Sequence, residues 1–477
     1  MNNFKQDEKD FLNYYLDNDA FPLPNDSQIM HINKHGLELI IRPNCNQHCE
    51  YCYINKYGDK LYPNHNISSE ELLSNIQALL EYIYIERKNY FYKIEMFAGD
   101  VFYDGIFFKI MQLYDNILSR IKSEFPYLLE RKTTMILPSN LSFVYTMPEV
   151  AEETVHIHDY FLETYNFKIA FSWSTDGIYG TFDREKKKLD DDYFDTILDF
   201  CMKLDAGYHP MTSANNVYVL KDNYDWWLQK MKEHRPPEQS ISEVDFAPSF
   251  LEVRNGKEWD QQAIEAYLDF LSYAMQVRYE LCGSDSSRLA KHFFGDVFAN
   301  IEEDIPRCTS YDHLAFNYTS LEDTSCENIP CGVQSELHVN CVDLSLVPCH
   351  RTSYPIFTGC YFKKDKDTNK IIDVEPHNIS GYYTLKTAHY SRLPVCSTCE
   401  YSPMCLKGCY GAQYEDSGEI FMPIPSVCSL FQQKIDHLVK LYHKYGVFKE
   451  VFKKHMVDMN MEKWFKKKLE EMGYTYE

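Results

Sequence analysis

Between residues 37 and 282, short apolar runs alternate with longer stretches whose apolar positions recur at three- and four-residue steps, the signature of strands followed by helices. Leu37–Arg42 is the first run. After a cysteine-bearing loop, a helix opens on Ser68-Ser69-Glu70-Glu71, a capping-box spacing. Tyr92–Phe97 leads into a helix over Gly105–Ile121, Thr133–Leu137 into Pro148–Tyr165, and Phe167–Trp173 into Asp191–Leu204. Val217–Leu220 reads as the fifth strand, ahead of a helix through Trp226 and Trp227, and Val244–Phe246 as the sixth, ahead of Gln261–Leu281. Six such alternations predict an α/β fold, a parallel sheet with crossover helices that is either barrel-like or open and doubly wound. Both place ligands at the carboxyl ends of the strands, so the loop after the first strand belongs to the functional mouth. Residues 1–36 form an extension with no clear period. Leu430–Met472 reads as one helix, with Phe431, Ile435, Leu438, Leu441, Tyr442 and Tyr445 along a single stripe.

Length and charge narrow the class. A chain of 477 residues exceeds what one core usually supports, so two or three domains are expected. The net charge of −23 argues against nucleic acid as a partner, since phosphate contacts depend on Lys and Arg. Met1–Ala20 has neither a basic nor an apolar signal region, and no apolar run approaches the roughly 18 residues of a membrane span. The expectation is a cytoplasmic protein whose sixteen cysteines favour metal over disulfides. Ten of them fall between Cys326 and Cys428. Residues 430–477 carry ten Lys against seven Asp and Glu, either a solvated helix face or a docking surface for an acidic peptide.

The chemistry concentrates in Cys45-Asn-Gln-His-Cys49-Glu-Tyr-Cys52-Tyr53, directly after the first strand. Three thiolates this close point first to a metal site, with a chance cluster in a cysteine-rich chain as the alternative. One reading is a zinc knuckle, with His48 as a strained fourth ligand; the other is an iron–sulfur cluster with one iron left open to a substrate. The run resembles the signature of the radical SAM superfamily, C-x3-C-x-aromatic-C, with Tyr51 in the aromatic position. That resemblance implies a partial (β/α)6 TIM-like barrel, a [4Fe-4S] cluster on Cys45, Cys49 and Cys52, and S-adenosyl-L-methionine bound to the open iron and cleaved reductively to a 5′-deoxyadenosyl radical.

It also implies cofactor contacts at later strand ends. Ala98-Gly99-Asp100 stands where the family usually has Gly-Gly-Glu, and Ser139-Asn140 where it often has Thr-Asn-Gly. Ser172-Trp173-Ser174-Thr175-Asp176-Gly177 resembles a Ser-Leu-Asp-Gly segment, with Ser174 toward the cofactor and Asp176 toward the substrate. Lys186, with Arg184 two residues earlier, stands where relatives place an Arg for the methionyl carboxylate, and Lys lacks the bidentate fork of Arg. For each of these polar residues, turn chemistry is the alternative.

The second cysteine-rich stretch, Cys396-x2-Cys399-x5-Cys405-x3-Cys409 followed by Cys428, is compatible with a zinc ribbon and resembles a SPASM domain. Upstream stand Cys326, Cys331 and Cys349, with Leu344 where that family expects Gly. The resemblance implies two auxiliary [4Fe-4S] clusters, an inner one on Cys326, Cys331, Cys349 and Cys409 and an outer one on Cys396, Cys399, Cys405 and Cys428. Cys341 and Cys360 have no assigned place, and Cys341 competes with Cys326 for the inner set. The implied domains are an extension over 1–36, the radical SAM barrel over 37–282, the SPASM domain over 283–429 and a C-terminal helical segment over 430–477.

The implied activity is maturation of a ribosomally made peptide. A hydrogen atom is taken from a residue, and oxidative crosslinking follows with the auxiliary clusters receiving the electron. Implied partners are the peptide or protein substrate and an electron donor such as flavodoxin or ferredoxin, with leader recognition falling to a separate protein, the short extension or the SPASM surface. One alternative is a formylglycine-forming enzyme like the anaerobic sulfatase maturases, with Asp176, Asp183 or His209 as base. The other is a non-catalytic, metal-stabilised scaffold, motivated by Ala98 and Asp100.

Overall fold

Strands and helices alternate over the first half of the chain. The computed structural model describes residues 8–10, 12–13, 16–17, 20–22, 29–31, 36–97, 99–103, 105–179, 191–204, 206–234, 251–252, 257–282, 333, 336–386, 394–401, 409–446 and 459–475. The strands are β1 (Gly36–Ile40), β2 (Lys93–Phe97), β3 (Thr133–Ser139), β4 (Phe167–Thr175), β5 (Gly207–Thr212), β6 (Leu251–Glu252), β7 (Glu336–Asn340), β8 (Ser345–Val347), β9 (Cys360–Asp365) and β10 (Lys370–Pro376). They form one ten-stranded sheet in the order β10-β9-β8-β7-β1-β2-β3-β4-β5-β6. From β1 to β6 neighbouring strands are parallel and follow chain order. On the other side β7 joins β1 in parallel, and β8 to β10 continue antiparallel. An antiparallel pair, Ala20–Pro22 with Ile29–His31, lies apart.

Among the described residues, the α-helices of eight residues or more are α1 (Tyr53–Leu61), α2 (Ser69–Leu80), α3 (Phe107–Glu124), α4 (Pro148–Tyr165), α5 (Asp191–Leu204), α6 (Leu220–His234), α7 (Gln261–Cys282), α8 (Ile379–Lys386), α9 (Tyr410–Ser417), α10 (Pro425–Tyr445) and α11 (Met459–Glu471). Local chemistry sets their ends. The Ser68 hydroxyl accepts from the Glu71 amide at 3.1 Å and starts α2. Pro148 begins α4, and Asn166 in the left-handed region ends it.

Side chains alternate across each strand. Leu37, Leu39, Ile94, Met96, Met135, Leu137, Ile169, Phe171, Leu337 and Val339 enter the main core with α2 to α5. Glu38, Lys93, Glu95, Glu336 and His338 occupy the alternate positions, so the opposite face of β1, β2 and β7 is charged. A second core joins α6, α7, α10 and α11. A third lies around α1 and α9, with Cys349 and Cys396 at its margin. Among the described residues no helix is long and apolar enough to cross a membrane.

Two sequence expectations change. Val217–Leu220 is not a strand: it is a tight helical turn running into α6, and Val217 and Leu220, three residues apart, bury together in the second core. The fifth strand is Gly207–Thr212, whose Gly207 and Pro210 interrupt the apolar alternation that marks a strand. Leu430–Met472 is not one helix. α10 stops at Gly446, left-handed at φ 67°, and α11 begins at Met459. The expected strand Val244–Phe246 lies outside the described residues, and β6 holds the sixth position in the parallel run.

Candidate active site

The loop between β1 and α1 carries Cys45, Cys49 and Cys52 at the carboxyl end of the sheet's innermost parallel strands. Arg42 pins its start, donating to the Ser69 hydroxyl at 3.0 Å. Within the loop, the Gln47 amide donates to Cys45 Sγ at 3.4 Å and the Cys52 amide to the Cys49 carbonyl at 3.1 Å. Asn55 reaches back from α1 to the Cys49 carbonyl at 3.1 Å. Cys49 is buried; Cys45 and Cys52 are partly exposed.

Loops after the next three strands close on this one. After β2, the Asp100 amide donates to the Asn44 carbonyl at 2.7 Å. Gly99 has φ 57°, and a Cβ there would stand 2.0 Å from the Asn44 oxygen, so this approach requires glycine. Asp100 clasps β2 to β3: Oδ1 accepts from the Phe102 amide at 3.0 Å, and Oδ2 from the Ser139 hydroxyl at 2.9 Å and the Asn140 amide at 3.1 Å. Burial pushes its carboxyl above the usual range, against these three bonds to the ionised form.

After β3, Asn140 Nδ2 donates to Asn46 Oδ1 at 2.8 Å and lies 3.9 Å from Cys45 Sγ, while Asn46 Nδ2 donates to the Ser142 hydroxyl at 2.7 Å. After β4, buried Asp176 accepts the Tyr51 hydroxyl at 2.8 and 3.1 Å. Asn223 of α6 supports that loop through the Asp176 carbonyl at 3.0 Å. Cys45, Tyr51, Gly99, Asp100, Ser139, Asn140 and Asp176 therefore share one mouth. Ser174, half-buried, pairs in register with His209 two residues before Asp176. Ala98, Asp183, Arg184 and Lys186 lie outside the described residues, as does the His209 side chain.

The second cysteine region meets α1 from the other side. Cys349 Sγ accepts from the Arg351 amide at 3.4 Å. The Arg351 guanidinium forms a fork with Glu415 at 3.0 and 2.6 Å and lies 5.0 Å from the centre of the Tyr53 ring, the residue after Cys52. Burial works against its charge, but the Cys409 thiol and Glu415 beside it hold the guanidinium more firmly protonated than usual. Cys409 precedes α9, whose Gly411 allows close approach: a Cβ there would sit 2.7 Å from the Arg351 carbonyl oxygen. Cys349 and Cys409 thus both approach Arg351, Cys349 at its amide and Cys409 near its guanidinium.

Cys396 and Cys399 share a turn, the Cys399 amide donating to the Cys396 carbonyl at 3.2 Å, and Gln432 of α10, one turn beyond Cys428, donates to Cys399 Sγ at 3.8 Å. Cys326, Cys331 and Cys405 lie outside the described residues. Cys341 and Cys360 are fully buried in the main core, where burial pushes both thiols up. Leu344 has φ 56°, the turn conformation that a Gly at this position would relieve.

Sequence reasoning missed Tyr53 and Arg351, for which an aromatic after a cysteine and an Arg after Cys349-His350 were the available signals. It also missed Glu38, Glu336 and His338. Each is a polar residue inside a short apolar strand, the one trace such a group leaves.

No family model and no curated protein matches the chain. Solved structures similar to it include Streptococcus suis SuiB bound to S-adenosylmethionine, at 12% identity over 83% of this chain and 75% of that chain with a TM-score of 0.42. SuiB bound to precursor peptide SuiA is similar at 12% identity over 83% of this chain and 76% of that chain, with a TM-score of 0.33. Both overlaps are loose.

Proposed function

We propose that the chain is a radical SAM enzyme that modifies a residue of a ribosomally made peptide. The observation that carries this reading is the convergence of three strand-end loops on the loop of Cys45, Cys49 and Cys52, held by Asn44–Asp100, Asn46–Asn140 and Tyr51–Asp176. Three soft donors beside amides able to bond sulfur fit an iron–sulfur cluster. Such a cluster, with S-adenosylmethionine on its open iron, supplies a 5′-deoxyadenosyl radical after one-electron reduction from a donor such as flavodoxin or ferredoxin.

The chain's own residues then have distinct tasks. Asn140 lies against Cys45, and Asp100 fixes the β2 and β3 loops that flank the cofactor, together with Gly99, Ser139 and Ser174; Ala98, Arg184 and Lys186 complete the proposed set. Asp176 is the substrate-side carboxylate, oriented by Tyr51. Cys349 and Cys409, with Cys326 and Cys331, hold the inner auxiliary cluster. Cys396, Cys399 and Cys428, with Cys405, hold the outer one. Arg351 places positive charge beside the inner set, which raises its affinity for an electron.

The test is anaerobic reconstitution with iron, sulfide, dithionite and S-adenosylmethionine. About twelve irons per chain and formation of 5′-deoxyadenosine are expected. Cys49→Ala should abolish 5′-deoxyadenosine and keep about two-thirds of the iron. Stoichiometric zinc, or no 5′-deoxyadenosine from protein with full iron, would contradict the reading.

A further inference from the structure

In a parallel sheet the loop after each strand and the start of the helix that follows lie at the same end, so the mouth is edged by the loops after β2 to β5 and the first turns of α3 to α6. Each of these four loops presents one exposed tyrosine. Tyr103 stands three residues beyond Asp100, Tyr145 five beyond Asn140, Tyr179 three beyond Asp176 and Tyr218 six beyond Thr212, the last residue of β5. Their exposures run from 41 to 54%, so much of each ring faces solvent.

The chain beneath each ring is held. The Tyr103 amide donates to the Asp100 carbonyl at 3.1 Å, and the Tyr179 amide to Asn223 Oδ1 of α6 at 2.9 Å. The Tyr145 ring meets Tyr193 of α5 edge-on, with centres 5.3 Å apart. Tyr218 lies in the tight helical turn that Val217 anchors in the second core. Carboxylates stand beside these rings. Glu149 in the first turn of α4, Asp191 and Asp192 in that of α5 and Asp222 in that of α6 are all exposed. Asp191 is engaged by Trp226 at 3.2 Å and faces Lys230 at 3.7 Å. Asp192 adjoins Tyr193, on which Tyr145 packs, and Asp222 adjoins Asn223 and lies one helical turn beyond Tyr218. Among the described residues of these loops and first turns the cations are Lys221, which pairs with Asp269, and Lys109 of α3, at the Tyr103 end. The β3 to β5 side of the rim is therefore acidic. Helix dipoles favour acids at these positions, but they give no reason for the tyrosines.

We propose that Tyr103, Tyr145, Tyr179 and Tyr218 form a docking rim for an extended, lysine- or arginine-bearing segment of the peptide substrate, with its cations over the rings and beside the first-turn carboxylates. Tyrosine supplies rigid, amphipathic contact area at little entropic cost, and its ring face attracts an ammonium or guanidinium. The carboxylates select the sign of the partner. Four neighbouring strands set the rim across about 14 Å, the reach of about four or five extended residues. A segment held there leaves the residues next to it free to descend to Asp176. That the partner is a substrate rests on the function proposed above; the rim itself does not depend on what the cysteines hold.

Fluorescence anisotropy of the full, reconstituted chain tests it, using labelled synthetic peptides of about eight residues, long enough to span the rim, built from Gly and Ala with Lys, Gln or Glu at alternate positions. The Lys peptide should bind most tightly and weaken as salt rises, and the Glu peptide should not bind. Combining Tyr179→Ala with Tyr218→Ala should weaken the Lys peptide about tenfold or more, and Asp222→Asn should weaken it and flatten its salt dependence, with native circular dichroism in both. Tyr127→Ala removes a tyrosine that is 63% exposed in the turn before β3, at the opposite end of the sheet, and should leave binding unchanged. A Lys peptide that binds no better than the Glu peptide would overturn the proposal. So would undiminished binding in the double variant, or an equal loss in Tyr127→Ala. Peptide binding without 5′-deoxyadenosine would contradict the radical reading and leave the rim in place; 5′-deoxyadenosine with binding indifferent to the tyrosines would do the reverse.

Discussion

Asp100 shows how a single carboxylate shapes the mouth. Its three acceptor bonds to Phe102, Ser139 and Asn140 tie two loops that separate strands would otherwise leave independent. Asp100→Ala strands three donors, two of them backbone amides, and should cost about 2–4 kcal/mol in urea unfolding; a loss under about 1 kcal/mol would show that the clasp is not rigid. Glu336 makes a second prediction. Its folded-state pKa, about 7, lies above the 4.5 of the unconstrained group. Its contribution is therefore full below about 4.5 and is lost as pH rises through about 7, so wild-type stability should fall relative to Glu336→Gln by about 1–3 kcal/mol between pH 5 and 8. Equal slopes for the two proteins would refute the raised value. Cys45, Cys49, Cys52, Ser139, Asn140 and Asp176 were legible because each lies in a short polar segment directly after an apolar run. Glu38 and Glu336 were not, because nothing local links residues so far apart in the chain.

At the scale of elements, the boundaries that sequence placed well are those with a chemical marker. α4 starts at Pro148 and ends at Tyr165 as expected, and α5 spans Asp191–Leu204 with two acidic residues in its first turn. Where the marker is tertiary, the reading failed: β5 is a strand because β4 pairs with it, despite its Gly and Pro, and Val217 is helical because α7 buries it. Gly446 gives a clean test of such a marker. It is left-handed with open space around it, so Gly446→Ala should cost about 1 kcal/mol from backbone conformation alone. Gly99→Ala should cost more, because there the added carbon also meets the Asn44 backbone. Comparable melting losses for the two variants would contradict that ordering.

For the whole molecule, the main consequence of the topology is that the second cysteine region shares the sheet of the first. β7 lies beside β1, so the chain that carries Cys349 starts from the strand adjacent to the Cys45 loop, and Arg351 and Tyr53 complete the contact. The alternating pattern made the order of the first four parallel strands legible. The extension by β7 to β10 was not, because β8 to β10 add antiparallel to β7 with no helix between the strands. If the proposed inner auxiliary cluster is present, removing positive charge with Arg351→Gln should lower its reduction potential in a dye-mediated titration and leave the Cys45 site unchanged; equal shifts in both signals would contradict the separate placement. The most direct measurement of the central claim is the electron paramagnetic resonance spectrum of the reduced, reconstituted protein with and without S-adenosylmethionine. A signal that changes on adding the cofactor, in the wild type and in Cys349→Ala but not in Cys49→Ala, is predicted. A spectrum indifferent to the cofactor in a protein with full iron would contradict it.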